Sequence, residues 1–324
     1  MTLDKKDLDM LREQLDGLWE EMGKVVIGRK KEFKLILTAL LTQGHVLLED
    51  LPGTGKTTMV KAFSRGIDCL FSRIQCTPDL LPSDVLGSSI FNPKTNEFYF
   101  RKGPVFTNIL LVDEINRTLP RTQSSLLEAM EERQVSIGGD TYLLSEPFIV
   151  LATQNPIDME GTFPLPEAQL DRFAMKIKLG YPTQEEEIQI LTQVGDEIPY
   201  AKIESKFSPK DITRLQEKCR RVHTHPSIGE YIIELANASR KHPMVSVGVS
   251  PRASKVLHKI VKAWALLQGR NYVIPDDVKE MVKPIWNHRL ILKTEAHVNN
   301  IGPEEILGEI MEKVDLIEEK VVRS

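Results

Sequence analysis

Leu8, Leu11, Leu15 and Leu18 recur at spacings of three and four, the mark of an amphipathic helix ahead of the main domain. A second helix is predicted over 32–42, then a short apolar strand at 45–49, a glycine-rich turn and a helix beginning near Lys56. Further apolar runs at 71–77, 108–112 and 148–153 are separated by long helical or irregular stretches, as buried strands of a parallel sheet should be. The pattern predicts a three-layer α/β domain.

Two stretches between these strands read as hairpins inserted into a βαβ framework. The first, 91–101, carries Asn92, Pro93 and Asn96 as turn residues, and the second pairs 134–137 with 141–144 across Gly138-Gly139-Asp140. The pattern changes at Tyr181-Pro182, where Thr183 and Glu186 form a capping-box signature and the chain becomes almost wholly helical. Further helix starts are signalled at Ser208-Pro209 and Ser250-Pro251. The boundary is therefore predicted there, with residues 1–181 as N-terminal helix plus α/β core and 182–324 as a small helical domain. The helix after Ser250 aligns Val256, Leu257, Ile260, Val261, Trp264 and Leu267, and another follows Pro275 with Asp276 and Asp277 in its first turn. A last amphipathic helix is predicted over 303–320, with Ile306, Ile310, Val314 and Ile317 in register.

A length of 324 residues suits about two domains, and 27% charged with 41% apolar residues is ordinary globular usage. Forty-two basic against 46 acidic residues give a net charge of −4, with no global attraction for nucleic acid or an anionic bilayer. The most apolar stretch, 35–48, is short and broken by Thr38, Thr42, Gln43, Gly44 and His45, so no membrane insertion is expected. Cys69, Cys76 and Cys219 make neither a disulfide framework nor a zinc spacing, and MTLDKKDLDM lacks the basic start and apolar run of a secretory leader. A soluble, cytoplasmic protein is expected.

Residues 50–57 read DLPGTGKT, a phosphate-loop pattern with Asp50 where the first glycine usually stands. Gly53 and Gly55 let the backbone curl its N–H groups around the β- and γ-phosphates of a nucleotide, Lys56 supplies a charge, and the Thr57 hydroxyl a Mg2+ ligand. Pro52, Thr54 and Thr58 complete the nucleotide-binding stretch, and the Asp50 charge must point away from a triphosphate. The apolar run from Ile109 ends in Asp113-Glu114: Asp113 would hold magnesium and Glu114 would orient and deprotonate the attacking water. Two adjacent acids favour hydrolysis over transfer.

The stretch DEINRTLPRTQSSLLEAMEERQVSIGG, followed by ATQNPIDMEGTFPLPEAQLDRF, resembles the AAA+ ATPases and, more narrowly, the MoxR family. The likeness runs from VIGR near Val26 to SPRAS around Arg252. The resemblance implies a P-loop AAA+ domain with an all-α lid. It reads the hairpins as the helix-2 insert and pre-sensor-1 hairpin shared with magnesium chelatase motors and replicative helicases. It places Val26, Ile27 and Gly28 against adenine, makes Asn155 sensor 1, and makes Arg172 an arginine finger serving a neighbouring subunit. Arg252 matches sensor 2, and its place in a helical first turn, where the dipole disfavours a cation, suits an external anion such as the γ-phosphate. It implies a homo-oligomeric ring, hexameric, that remodels protein clients carrying von Willebrand factor A domains. A DNA-translocating or magnesium-chelatase-like motor, and an ATP-gated scaffold with little turnover, are the alternatives. Arg117 and Arg121 suit nucleotide, neighbour or surface pairs equally, and Phe98, Tyr99 and Phe100 either grip a client or pack within their hairpin. His223 and His225 lack the further ligands a metal would need.

Overall fold

The computed structural model describes residues 5–49, 55–155, 161–192 and 199–314. In chain order it begins with α1 (Lys5–Gly23), α2 (Lys30–Leu41), β1 (Val46–Glu49), α3 (Lys56–Gly66), β2 (Phe71–Gln75), α4 (Pro82–Leu86), β3 (Gly87–Asn92) and β4 (Glu97–Lys102). It continues through β5 (Ile109–Asp113), α5 (Pro120–Glu132), β6 (Gln134–Ile137), β7 (Asp140–Leu143), β8 (Ile149–Gln154), α6 (Glu167–Leu170), β9 (Met175–Lys178) and α7 (Gln184–Thr192). The remainder is α8 (Pro209–Arg220), α9 (Pro226–Lys241), β10 (Val245–Val247), α10 (Pro251–Leu267), α11 (Pro275–Trp286), β11 (Ile291–Leu292), α12 (Thr294–Val298) and α13 (Pro303–Lys313).

Five strands form one sheet in the order β2-β5-β8-β1-β9. The pairs β2–β5, β5–β8 and β8–β1 are parallel, with Gln75 opposite Asp113, Val112 opposite Ala152 and Glu49 opposite Gln154. Leu110, Leu111 and Val112 of β5 and Val150, Leu151 and Ala152 of β8 are fully buried, which is why both strands read as unbroken apolar runs. After β1 the chain passes through α3 to the far strand β2, and only later fills the gap with β5 and β8. That order opens a crevice at the carboxyl ends of the strands. The fifth strand, β9, escaped the sequence reading because MKIK is short and half charged; Met175 and Ile177 are buried and its lysines suit a sheet edge.

Both hairpins form. The first starts earlier than predicted, at Gly87, and sets Phe91 opposite Phe98. In the second, Ile137 faces Asp140 across Gly138-Gly139, whose φ of 64° and 93° make the two-residue turn that only such backbones adopt easily. Phe100 stacks on Tyr142 with ring centres 4.1 Å apart and meets Phe106 edge-on, so it packs between the hairpins, whereas Phe98 is exposed beside Phe91.

The described residues form two compact units, those within 14–173 and 177–214, and those within 5–13, 174–176 and 215–314. Tyr181-Pro182 lies inside the first of these. The stretch beyond it is anchored there by Lys206 N donating to Gly66 O (2.9 Å), Glu204 N to Glu21 Oε2 (3.2 Å) and Lys61 Nζ to the Tyr200 hydroxyl (3.3 Å). The signalled helix starts are present. Thr183 N and Glu186 N each donate to the other's side chain (2.8 and 3.3 Å), Ser208 and Asp211 do the same, and Ser250 Oγ accepts from Ala253 N.

In the helical unit Leu257, Ile260, Val261, Trp264 and Leu267 of α10 are buried, and Trp286 Nε1 of α11 donates to Ala253 O at 3.2 Å. Ile306 and Ile310 of α13 are buried, while Ile317 and the rest of the predicted helix lie outside the described residues. Cys69, Cys76 and Cys219 are buried free thiols, and burial pushes each up to about 12.

His45, just ahead of β1, ties the sheet together. Val150 N donates to its Nδ1 (2.9 Å) and its Nε2 donates to Met130 O (3.0 Å), an arrangement for the neutral ring. Burial, the larger cause, lowers its pKa from 6.5 to about 4. Between those values the unfolded chain binds a proton that the folded chain does not. The stability from neutral His45 is therefore complete above pH 6.5 and is lost as pH falls toward 4, up to about 3 kcal/mol. Urea unfolding of His45→Phe should show a visibly shallower loss of stability between these pH values than wild type. Parallel profiles would overturn the assignment.

Candidate functional site

Helix α3 is the next element after β1 along the chain. Gly55 caps it with φ 81° and ψ 16°, and Lys56, Thr57 and Thr58 form its half-buried first turn. The positive dipole end of a helix favours an anion there. Asp50, Pro52, Gly53 and Thr54 lie outside the described residues.

Two strand positions away across the sheet, roughly 10 Å, β5 ends in the acidic pair. Asp113 is buried, with its Oδ2 accepting from Arg73 Nε at 2.6 Å and its Oδ1 accepting from Thr153 Oγ1 at 3.4 Å. Glu114 sits in the left-handed region, φ 57° and ψ 52°, a conformation costing a non-glycine residue about 1–2 kcal/mol. It is held there because Glu114 N donates to Thr153 Oγ1 (2.8 Å) and its carbonyl accepts from Arg117 N (2.8 Å). The single Thr153 hydroxyl thus fixes both acids. Glu114 Oε2 accepts from Gln75 Nε2 (3.1 Å) and Arg117 Nη1 (3.2 Å), so Arg117 resolves as a partner of the acid.

Asn155 directly follows β8, the strand between β1 and β5 in the sheet. Val26 and Ile27 are half-buried. At Gly28, with φ 74°, a Cβ would lie 1.9 Å from Glu186 Oε1, so that carboxylate rests directly on the loop. Arg29 pins the same loop by donating to Leu179 O and Gly180 O. Arg172 lies just past α6 with its Nε 3.2 Å from Glu131 Oε2. Arg252 is the second residue of α10, exposed, in the helical unit. His225 caps α9 by accepting from Ser227 N.

The sequence reading missed Arg73, Gln75 and Thr153. For the first two a signal exists: they are two apart on a strand, hence on one face, next to the acid-bearing strand. Oxygen donors at Thr57 and Asp113 suit Mg2+, which takes one or two protein ligands and completes its shell with phosphate oxygens and water. Among the described residues no group of three or more His, Cys, Asp or Glu is arranged around a metal.

Residues 45–175 match the model of the ATPase family associated with various cellular activities (AAA), and residues 237–310 match the AAA lid domain. The chain is 43% identical to chaperone MoxR1 of Mycobacterium tuberculosis, over 91% of this chain and 80% of that protein. The chain belongs to the MoxR family of AAA+ ATPases. This MoxR-family chain is also 50% identical to the uncharacterized protein YeaC of Bacillus subtilis, over 91% and 92% of the two chains. It is similar to a crystal structure of a Cytophaga hutchinsonii protein assigned as an ATPase, with a TM-score of 0.89, 41% identity, and 95% and 96% of the chains covered. ATP hydrolysis is the activity of the MoxR family's AAA domain, here the α/β unit, and no described helix is long and apolar enough to cross a membrane.

Proposed function

We propose that this MoxR-family chain is a Mg2+-dependent ATPase that works as a homo-oligomeric ring, a hexamer, and remodels or matures protein clients that carry von Willebrand factor A domains. The observation that supports the catalytic part is the Thr153 hydroxyl, which accepts from Glu114 N and donates to Asp113 Oδ1 and so links the two acids at the carboxyl end of β5.

In this reading the 50–58 loop, with Pro52, Gly53, Thr54, Gly55, Lys56 and Thr58, wraps the phosphates, and Val26, Ile27 and Gly28 lie against the adenine. Thr57 and Asp113 hold Mg2+, which when bound neutralises charge on the phosphate oxygens. Glu114 takes a proton from the attacking water, and Asn155 orients that water from the neighbouring strand end. The Glu114 carboxylate must first leave Gln75 or Arg117, so both tune its readiness. Arg172 supplies positive charge to the next subunit's site, and Arg252 brings the lid to the γ-phosphate. Loss of that phosphate releases both cations, so the lid and subunit interface shift together. The unit that holds the sheet, with the stretch just beyond Tyr181-Pro182, then serves as nucleotide core and the helical unit as lid.

The test is Mg2+-dependent ATP turnover against protein concentration, with mass measured in the same buffer, for wild type and Arg172→Ala. Turnover per chain should rise as the mass grows, and the variant should lose about a hundredfold or more. Flat turnover from a monomer, unaffected by the variant, would overturn both the ring and the finger.

A further inference from the structure

Strands β2 and β5 run parallel, with Arg73 opposite Leu111 and Gln75 opposite Asp113. Arg73 Nε donates to Asp113 Oδ2 at 2.6 Å and its Nη2 to Gln75 Oε1 at 3.0 Å, while Gln75 Nε2 donates to Glu114 Oε2 at 3.1 Å. One guanidinium on β2 therefore reaches both acids, the first directly and the second through an amide. The two partners differ in freedom: the Asp113 side chain is 8% exposed and the Arg73 side chain 47%. A buried carboxylate stripped of its counter-ion is costly, whereas a half-exposed guanidinium can swing into water at little cost.

We propose, resting on the reading of Asp113 as a magnesium ligand, that Arg73 is a positioning residue that competes with the divalent cation for the Asp113 carboxylate and so sets how strongly nucleotide binding depends on magnesium. With Arg73 in place, Asp113 is compensated before any cation arrives. The cation must then displace an existing ion pair, which lowers what magnesium adds to nucleotide affinity. The same guanidinium adds positive charge beside the site and supports binding of metal-free nucleotide.

The experiment uses the full chain and a non-hydrolysable ATP analogue, with equilibrium binding measured by calorimetry in Mg2+ and in EDTA. The readout is the dissociation constant in EDTA divided by that in Mg2+. Arg73→Gln should raise that ratio about tenfold, by weakening metal-free binding and strengthening binding with magnesium. Asp113→Asn should bring the ratio close to one, and adding Arg73→Gln to it should then change nothing further. Arg73→Lys, which keeps the charge but loses the planar fork, should move the ratio about threefold in the same direction and carries the test if Arg73→Gln melts early. A ratio in both Arg73 variants within about twofold of wild type, with Asp113→Asn still collapsing it, would overturn the role of Arg73 alone. A ratio that survives Asp113→Asn would remove Asp113 from the metal and this proposal with it.

Discussion

ATP turnover should fall about a hundred- to a thousandfold in Glu114→Gln, while nucleotide affinity stays within about twofold of wild type. The expectation rests on what the substitution leaves alone. The backbone at 114 is fixed by its own N–H to Thr153 and its carbonyl to Arg117, neither of which involves the side chain. A glutamine of the same shape therefore inherits the left-handed backbone and the place between Gln75 and Arg117, and loses only the ability to take a proton. Steady-state turnover and binding of the same nucleotide, measured side by side, separate the two effects. A variant that retains more than about a fifth of wild-type turnover would take proton abstraction away from Glu114.

Asp277→Ala should cost the helical unit about 3 kcal/mol or more. Asp277 is buried, and its two oxygens accept from Arg270 Nη1 (2.8 Å) and Nη2 (2.6 Å), with Oδ2 also accepting from Ile274 N (2.9 Å) to cap α11. Truncation removes a bidentate ion pair and a helix cap together and leaves a partly buried guanidinium without its carboxylate. Trp264 and Trp286 lie in this unit and Trp19 in the other, so urea unfolding followed by tryptophan fluorescence in a Trp19→Phe background reads the helical unit. An unchanged midpoint would mean that the pair is ornamental, and Arg270→Ala combined with Asp277→Ala should recover part of the loss because no charge is then stranded.

Most of the α/β framework was legible because it is written locally. Buried parallel strands announce themselves as apolar runs, as Ile109 to Val112 does, and Gly138-Gly139 names its own turn. The acidic pair, Lys56, Thr57 and Asn155 stand out in the sequence because each sits at a strand or helix end, where polar residues interrupt the apolar periodicity. What escaped depends on partners far along the chain. Thr153 acquires its role only when β8 lies beside β5, His45 only when Met130 and Val150 close over it, and Arg73 only when β2 and β5 fall into register. The stretch after Pro182 reads as the start of a helical domain because its helix signals are local, while its attachment to α1 and α3 runs through backbone groups and a tyrosine that carry no periodic mark.

The three buried sulfurs make this chain a blank canvas for labelling. With each thiol held near 12, the reactive thiolate is roughly one part in ten thousand or fewer at neutral pH. A single cysteine introduced at Asn96, on the exposed turn of the first hairpin, would then outcompete all three for a maleimide dye. A distance reporter could thus be attached to the hairpin tip of the otherwise native sequence, without first stripping out its own cysteines.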